Sequence, residues 1–245
     1  MGLAVSAWGQ PSAPNADGQK AILSRIREGA ISYSDRLQDF VCIQITVRSA
    51  GSLGAHTRWK RLETLEQELT YVAHKEGHKV LKLNGKPPEA GRKIKGGYFQ
   101  PGSEFGSYFR KVFDSKAQAE FDWDREEESG GRRMCVFRYR VPRATSTWSV
   151  TANGDEIVLG HHGLVHADCE SGAVMRLELE TELPEGKPVG IQADLQYGFA
   201  EIAGKEFLLP QKVEEIARYH SSLTKVEMEF RDYRKYGSDS TITFK

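Results

Sequence analysis

Residues Gly163 to Glu182 read GLVHADCESGAVMRLELETE, two arms of alternating polarity joined by Glu170-Ser171-Gly172. Side chains on an extended strand point to opposite faces in turn, so alternation with period two marks a strand with one buried and one wet face. In the second arm Met175, Leu177 and Leu179 fall on one side, and Arg176, Glu178 and Glu180 on the other. Gly172 suits the positive φ that a tight reversal needs. Most of the chain after Phe121 repeats the pattern, which predicts one antiparallel sheet built outward from this hairpin.

Composition agrees with a half-exposed sheet. Of the 245 residues 39% are hydrophobic and 28% charged, polar for a globular chain but not a disordered one. Lys plus Arg balance Asp plus Glu at 34 each, so net charge gives no reason to expect nucleic acid or an anionic membrane as a partner. The basic run Arg92, Lys93 and Lys95 reads as a solvated loop. No apolar run approaches the roughly 20 residues that span a bilayer as a helix. Gly2 to Trp8, GLAVSAW, is small and apolar, with Val5 and Ala7 at the −3 and −1 spacing of a signal-peptidase site; GQPSAPNADG follows as a spacer. No Lys or Arg precedes Lys20, so residues 1–16 read as the tail of an export signal or a disordered terminus, and 17–245 as a single domain. Three cysteines, Cys42, Cys135 and Cys169, form no C-x-x-C pair; in an exported protein one pair can be bridged, and spacing does not say which.

Taken in order, Asp17 is predicted to cap a helix whose stripe is Ile22, Leu23, Ile26, Ala30, Tyr33 and Leu37. Val41, Ile43, Ile45 and Val47 then alternate with Cys42, Gln44, Thr46 and Arg48 in a first strand. Leu62 to His74 suits either element; Leu65, Leu69, Tyr71 and Ala73 share a strand face, which selects strand. Gly77 is predicted to turn the chain into Val80 to Leu83, which Asn84-Gly85 and Pro87-Pro88 end. After a glycine-rich loop over Gly91 to Gly102, Ser103 is predicted to cap a second helix, SEFGSYFRKVF, with Phe105, Tyr108, Phe109, Val112 and Phe113 on one wide stripe. Phe121 and Trp123 share a strand face before an acidic turn over Arg125 to Gly131. Cys135, Phe137, Tyr139 and Val141 occupy the next strand, and Trp148 and Val150 a short one ended by Asn153-Gly154. Later strands carry Ile191, Ala193, Leu195, Tyr197 and Phe199, then EFLLP with Pro210 at an edge or bulge, then Val226, Met228 and Phe230, and finally Ile242 and Phe244. Roughly ten strands and two helices, without helices between every strand pair, exclude an alternating parallel sheet.

Signals for chemistry are thin. His161, His162, His166, Asp168 and Cys169 are the densest group of metal-ligand types. On a strand His162 and His166 share a face but stand about 13 Å apart at roughly 3.3 Å per residue, too far to share a zinc ion held at about 2 Å. They read as polar face residues, as do Asp122, Asp124 and Glu126 to Glu128, which lack the spacing of a calcium loop. Nucleophile-elbow, P-loop, zincin and dinucleotide fingerprints are absent from the sequence, so no catalytic residue, metal or cofactor is assigned. What remains is aromatic: Phe105, Tyr108, Phe109 and Phe113 of the second helix against Trp123, Tyr197 and Phe199 of the sheet, with Phe121 beside them. These make either an ordinary core or the lining of an apolar-ligand cavity with the helix as lid, and both need the same burial.

Several stretches together carry a resemblance: an export-like start, an amphipathic helix, VCIQITV at 41–47, GSEFGSYFRKVF at 102–113, GLVHADCESGAVMRLE at 163–178, KEFLLP at 205–210 and MEFRDYRKY at 228–236. In this order, over most of 17–245, they resemble the outer-membrane lipoprotein-sorting superfamily, which includes the carrier LolA, its receptor LolB and the regulator RseB, and within it an uncharacterised exported branch. The resemblance implies a mainly β (α+β) fold, a single strongly curved antiparallel sheet, an unclosed barrel, with helices on its concave face, and a hollow that holds acyl chains or lipopeptide. It carries over no site residue, and the receptor's lipidated cysteine has no counterpart. The expectation is a soluble periplasmic binding or carrier-like protein for a lipid, acyl chain or other apolar small molecule. An envelope protein-protein interaction or regulatory module without a small ligand is the alternative. A hydrolase using His166 and Asp168 comes third.

Overall fold

The computed structural model describes residues 13–54, 56–89, 104–152, 154–183 and 189–237. The calls on residues 1–12, the glycine-rich loop, Ser103, Asn153 and the strand end at Ile242 and Phe244 lie outside these. Twelve strands follow in chain order: β1 (Phe40–Ser52), β2 (Lys60–Val72), β3 (Lys75–Leu83), β4 (Glu120–Ser129), β5 (Arg132–Val141), β6 (Ser149–Ala152), β7 (Asp155–Val158), β8 (His161–Asp168), β9 (Val174–Thr181), β10 (Val189–Ile202), β11 (Lys205–Tyr219) and β12 (Ser222–Lys235). The helices are α1 (Ala16–Ile31), α2 (Tyr33–Arg36) and α3 (Ser107–Phe113).

Ten strands form one antiparallel sheet in the order β3-β2-β1-β12-β11-β10-β9-β8-β5-β4, and β6 and β7 pair separately. The sheet does not close, since β3 and β4 are its two edges. These strands are also consecutive in the chain, so between them the polypeptide must pass from one edge to the opposite one, and α3 lies on that path. The result is a mainly β, curved, unclosed sheet with its helices on one face.

The opening hairpin forms as predicted, with Gly172 at φ 74°. One detail differs. His166 aligns with Arg176 and Ala167 with Val174, so Met175 is the extra residue of a bulge and Val174 takes the buried place. The hairpin turn docks on α1, where Arg25 donates to the Cys169 carbonyl at 3.0 Å. A disulfide joins Cys169 to Cys135 of β5, and Cys42 remains a buried free thiol.

Local chemistry displaces several predicted boundaries. Asn15, not Asp17, caps α1, its side-chain oxygen accepting from Gly18 N at 2.9 Å. The β2–β3 reversal falls at Ala73-His74, both at positive φ, and Gly77 lies within β3. The acidic run is strand rather than turn, because Gly130 and Gly131, with φ of 57° and 73°, make the reversal. Pro210 sits at a bulge opposite Tyr197, on a strand interior to the sheet; its carbonyl accepts from Tyr233 Oη at 2.7 Å.

The largest correction concerns β1. Its buried inner face is Phe40, Cys42, Gln44 and Thr46, and the apolar set Ile43, Ile45 and Val47 faces outward. Register with β12 forces this, since Gln44 is opposite Phe230 and Thr46 opposite Met228, both core residues. Outside, Ile43 lies between Glu68 and Arg231, and Ile45 between Glu66 and Glu229, whose aliphatic stems cover it.

Candidate functional site

The site is the inner face of the sheet and the helix set into it. Gly106 precedes α3 at φ 113°, a conformation open mainly to glycine, and a Cβ there would collide with Ser34 Oγ. The helix therefore begins at Ser107 rather than at Ser103. Two main-chain oxygens anchor its approach: Phe105 O accepts from Ser34 Oγ at 2.9 Å, and Glu104 O from Tyr197 Oη at 3.0 Å.

Phe105, Tyr108, Phe109 and Phe113 are each 1% exposed. Phe105 packs on Phe40, Tyr71 and Phe230, with ring centroids at 5.1, 5.5 and 5.9 Å. Tyr108 meets Trp148 at 5.3 Å. Phe109 sits between Tyr33 at 5.0 Å and Tyr197 at 4.8 Å, and Phe113 stacks on Phe121 at 5.5 Å. Such pairs prefer offset or edge-on arrangements and contribute about 0.5–1.5 kcal/mol each beyond their burial. Five of the seven predicted residues thus converge around α3. Trp123 is half-buried near the β4 edge, edge-on to Phe137 at 5.2 Å. Phe199 stands apart: it is 37% exposed, with the Arg132 guanidinium over its ring at 5.0 Å.

Buried polar groups are the part that sequence reading missed. His161 is fully buried against Tyr139 and Trp148, and neither of its ring nitrogens nor Tyr139 Oη has a hydrogen-bond partner. Burial, then the nearby Lys111 charge, pushes its pKa down to about 4, so the ring is neutral. On the other side of α3, Glu104 and Glu215 are buried, and Glu104 Oε1, both oxygens of Glu215 and Gln44 Oε1 have no partner. Burial pushes Glu215 up to about 8; burial and then the Glu215 charge push Glu104 well above the usual carboxylate range. Parity could have found Glu215, because Val213 two residues before it is core.

The histidine-rich group does not converge. His161 faces inward and His162 outward into solvent. His166 Nδ1 lies 2.7 Å from Glu127 Oε1 and its Nε2 3.0 Å from Glu178 Oε1, so both nitrogens are engaged. Asp168 Oδ1 accepts from the backbone N–H groups of Glu170 and Ser171 and so holds the turn. Among the described residues, Glu126, Cys135 and Cys169 bring three ligand-type atoms within 4.8 Å, but the two sulfurs are bonded to each other.

No protein-family model and no curated protein matches the chain. Among solved structures it is similar to an outer membrane lipoprotein-sorting protein domain from Vibrio parahaemolyticus, at TM-score 0.39 and 11% identity over 89% of this chain and 92% of that one. It is also similar to a DUF1329 family protein from Desulfovibrio piger, at 0.38 and 9% over 91% and 94%. A LolA superfamily protein from Nitrosomonas europaea follows at 0.34 and 9% over 87% and 93%. Two of these names are those of the superfamily that the sequence motifs resemble. The likenesses are remote, and neither a ligand nor a site residue is transferred from them.

Proposed function

We propose that the protein is a binding or carrier protein for a lipid, acyl chain or other apolar ligand, taken up between the curved sheet and a displaceable α3. The observation that carries this reading is α3 itself. It is a seven-residue helix with no side-chain cap, yet it presents Tyr108, Phe109, Val112 and Phe113 fully buried to the sheet. Outward movement of α3 opens a hollow lined by Phe105, Tyr108, Phe109, Phe113 and Tyr197, with Trp123 toward one edge and Phe199 at the rim. An apolar chain replaces the same buried contacts that α3 gives up, so exchange costs little hydrophobic free energy.

An exported, periplasmic setting suits this reading. It is supported by the apolar GLAVSAW stretch and by the Cys135–Cys169 disulfide, a bond that persists in oxidising compartments. Among the described residues no helix is long and apolar enough to cross a membrane. Native mass spectrometry of the purified protein, with titration of a fluorescent fatty acid, tests the proposal. Co-purified lipid or saturable uptake is expected, weakened when Tyr108 and Phe109 are replaced by serine. Absence of both from the folded protein overturns it.

A further inference from the structure

The inner face between β1, β12 and β11 carries an arrangement that a purely apolar ligand leaves unused. Glu215 on β11 lies between Ala193 of β10 and Val226 of β12, fully buried. Gln44 on β1 is opposite Phe230, and its Nε2 lies 3.1 Å from Met228 Sδ; Met228 is aligned with Val213, two residues from Glu215. Glu104 leads into α3, is acted on by the Glu215 charge, and adjoins Phe105, which packs on Phe230 at 5.9 Å. Every hydrogen bond or contact that orients these residues uses another of their atoms. Glu104 is held by its carbonyl and Gln44 by its nitrogen, leaving Glu104 Oε1, Gln44 Oε1 and both carboxyl oxygens of Glu215 as acceptors without donors.

Buried acceptors without donors are rare, because each loses its water without a replacement. Four of them, from three separate elements, are matched by a group that is rich in donors and has no acceptor. A primary ammonium has three N–H donors and no lone pair. We infer that Gln44, Glu104 and Glu215 form the head-group site for a primary amine at the end of an amphipathic ligand whose apolar chain lies in the aromatic hollow beside α3. The inference rests on the carrier reading and adds the chemistry of the head. One carboxyl releases its proton to solvent as the ammonium arrives, so an ion pair rather than a lone charge is buried. Because Glu104 belongs to the segment that leads into α3, filling the site and moving the helix are one event.

Equilibrium binding of dodecylamine, dodecanol and dodecanoate, each below its micelle concentration, tests this on the full chain and on the E215Q variant. The change to glutamine keeps the shape, and dodecanol binding by the variant shows that its hollow is intact. Dodecylamine is expected to bind the unaltered protein about tenfold more tightly than dodecanol, with dodecanoate weakest, and E215Q to remove most of that margin. Equal binding of the three by the unaltered protein overturns the amine site and leaves the carrier reading standing. A margin that survives in both E215Q and E104Q overturns the assignment to these residues. Binding of none overturns both readings.

Discussion

Around α3 the inner face is closed by ring against ring, whereas toward β1 and β11 the same face carries an amide, a hydroxyl and two carboxyls. The strands do not differ in geometry, since both regions belong to one continuous antiparallel ladder. They differ in what each loses when disturbed. In the aromatic region stability comes from contact, so removing atoms is costly; in the polar region it is limited by acceptors that lack donors, so removing charge is helpful. One backbone therefore presents a tight surface beside a strained electrostatic one.

The sharpest test of this contrast is truncation on the aromatic side. Phe109→Ala is expected to cost about 3–5 kcal/mol in urea denaturation, the range for emptying a well-packed aromatic position. An effect below about 1 kcal/mol would mean that α3 is loosely seated. Next comes pH on the polar side. Glu215 has a folded-state pKa raised from 4.5 to about 8, so the folded protein holds a proton that the unfolded chain gives up. Stability is then greatest below 4.5 and falls as pH rises through about 8, by on the order of 3 kcal/mol. E215Q should flatten most of that fall, leaving the share due to Glu104, which has the same sign.

His161 predicts the opposite slope on the aromatic side. Its folded pKa is depressed from 6.5 to about 4, so the unfolded chain takes up a proton that the folded ring refuses. Stability is full above 6.5 and falls as pH drops through about 4, by on the order of 2 kcal/mol, and His161→Phe should remove the fall. Thermal melts across pH 4–9 check both residues together. The smallest effect belongs to neither region: Asn15→Ala removes the α1 cap and should cost about 1 kcal/mol by the same assay.

Much of the fold was legible because strands advertise their faces. Leu177 and Leu179, the Cys135 to Val141 set and Ile191 to Tyr197 all took the predicted side, and the choice of strand over helix for Leu62 to Val72 holds. Where reading failed, pairing overrode pattern. Ile43 and Ile45 look like core, yet the partners of Gln44 and Thr46 on β12 turn them outward. The helix start at Ser107 was hidden because it depends on Gly106 touching Ser34, a contact between residues distant in sequence. The candidate site divides along the same line. The aromatic stripe of α3 is periodic and visible, whereas Glu104, Glu215 and His161 are single polar residues whose burial only the assembled sheet reveals.

The route of the chain between β3 and β4 has a mechanical consequence. These strands are the two rims of the sheet, and α3 is strung between them. A guest that lifts α3 therefore tugs on both rims at once, and a change in rim spacing loosens or tightens the helix in return. Cargo loading and the width of the open barrel are coupled by connectivity alone.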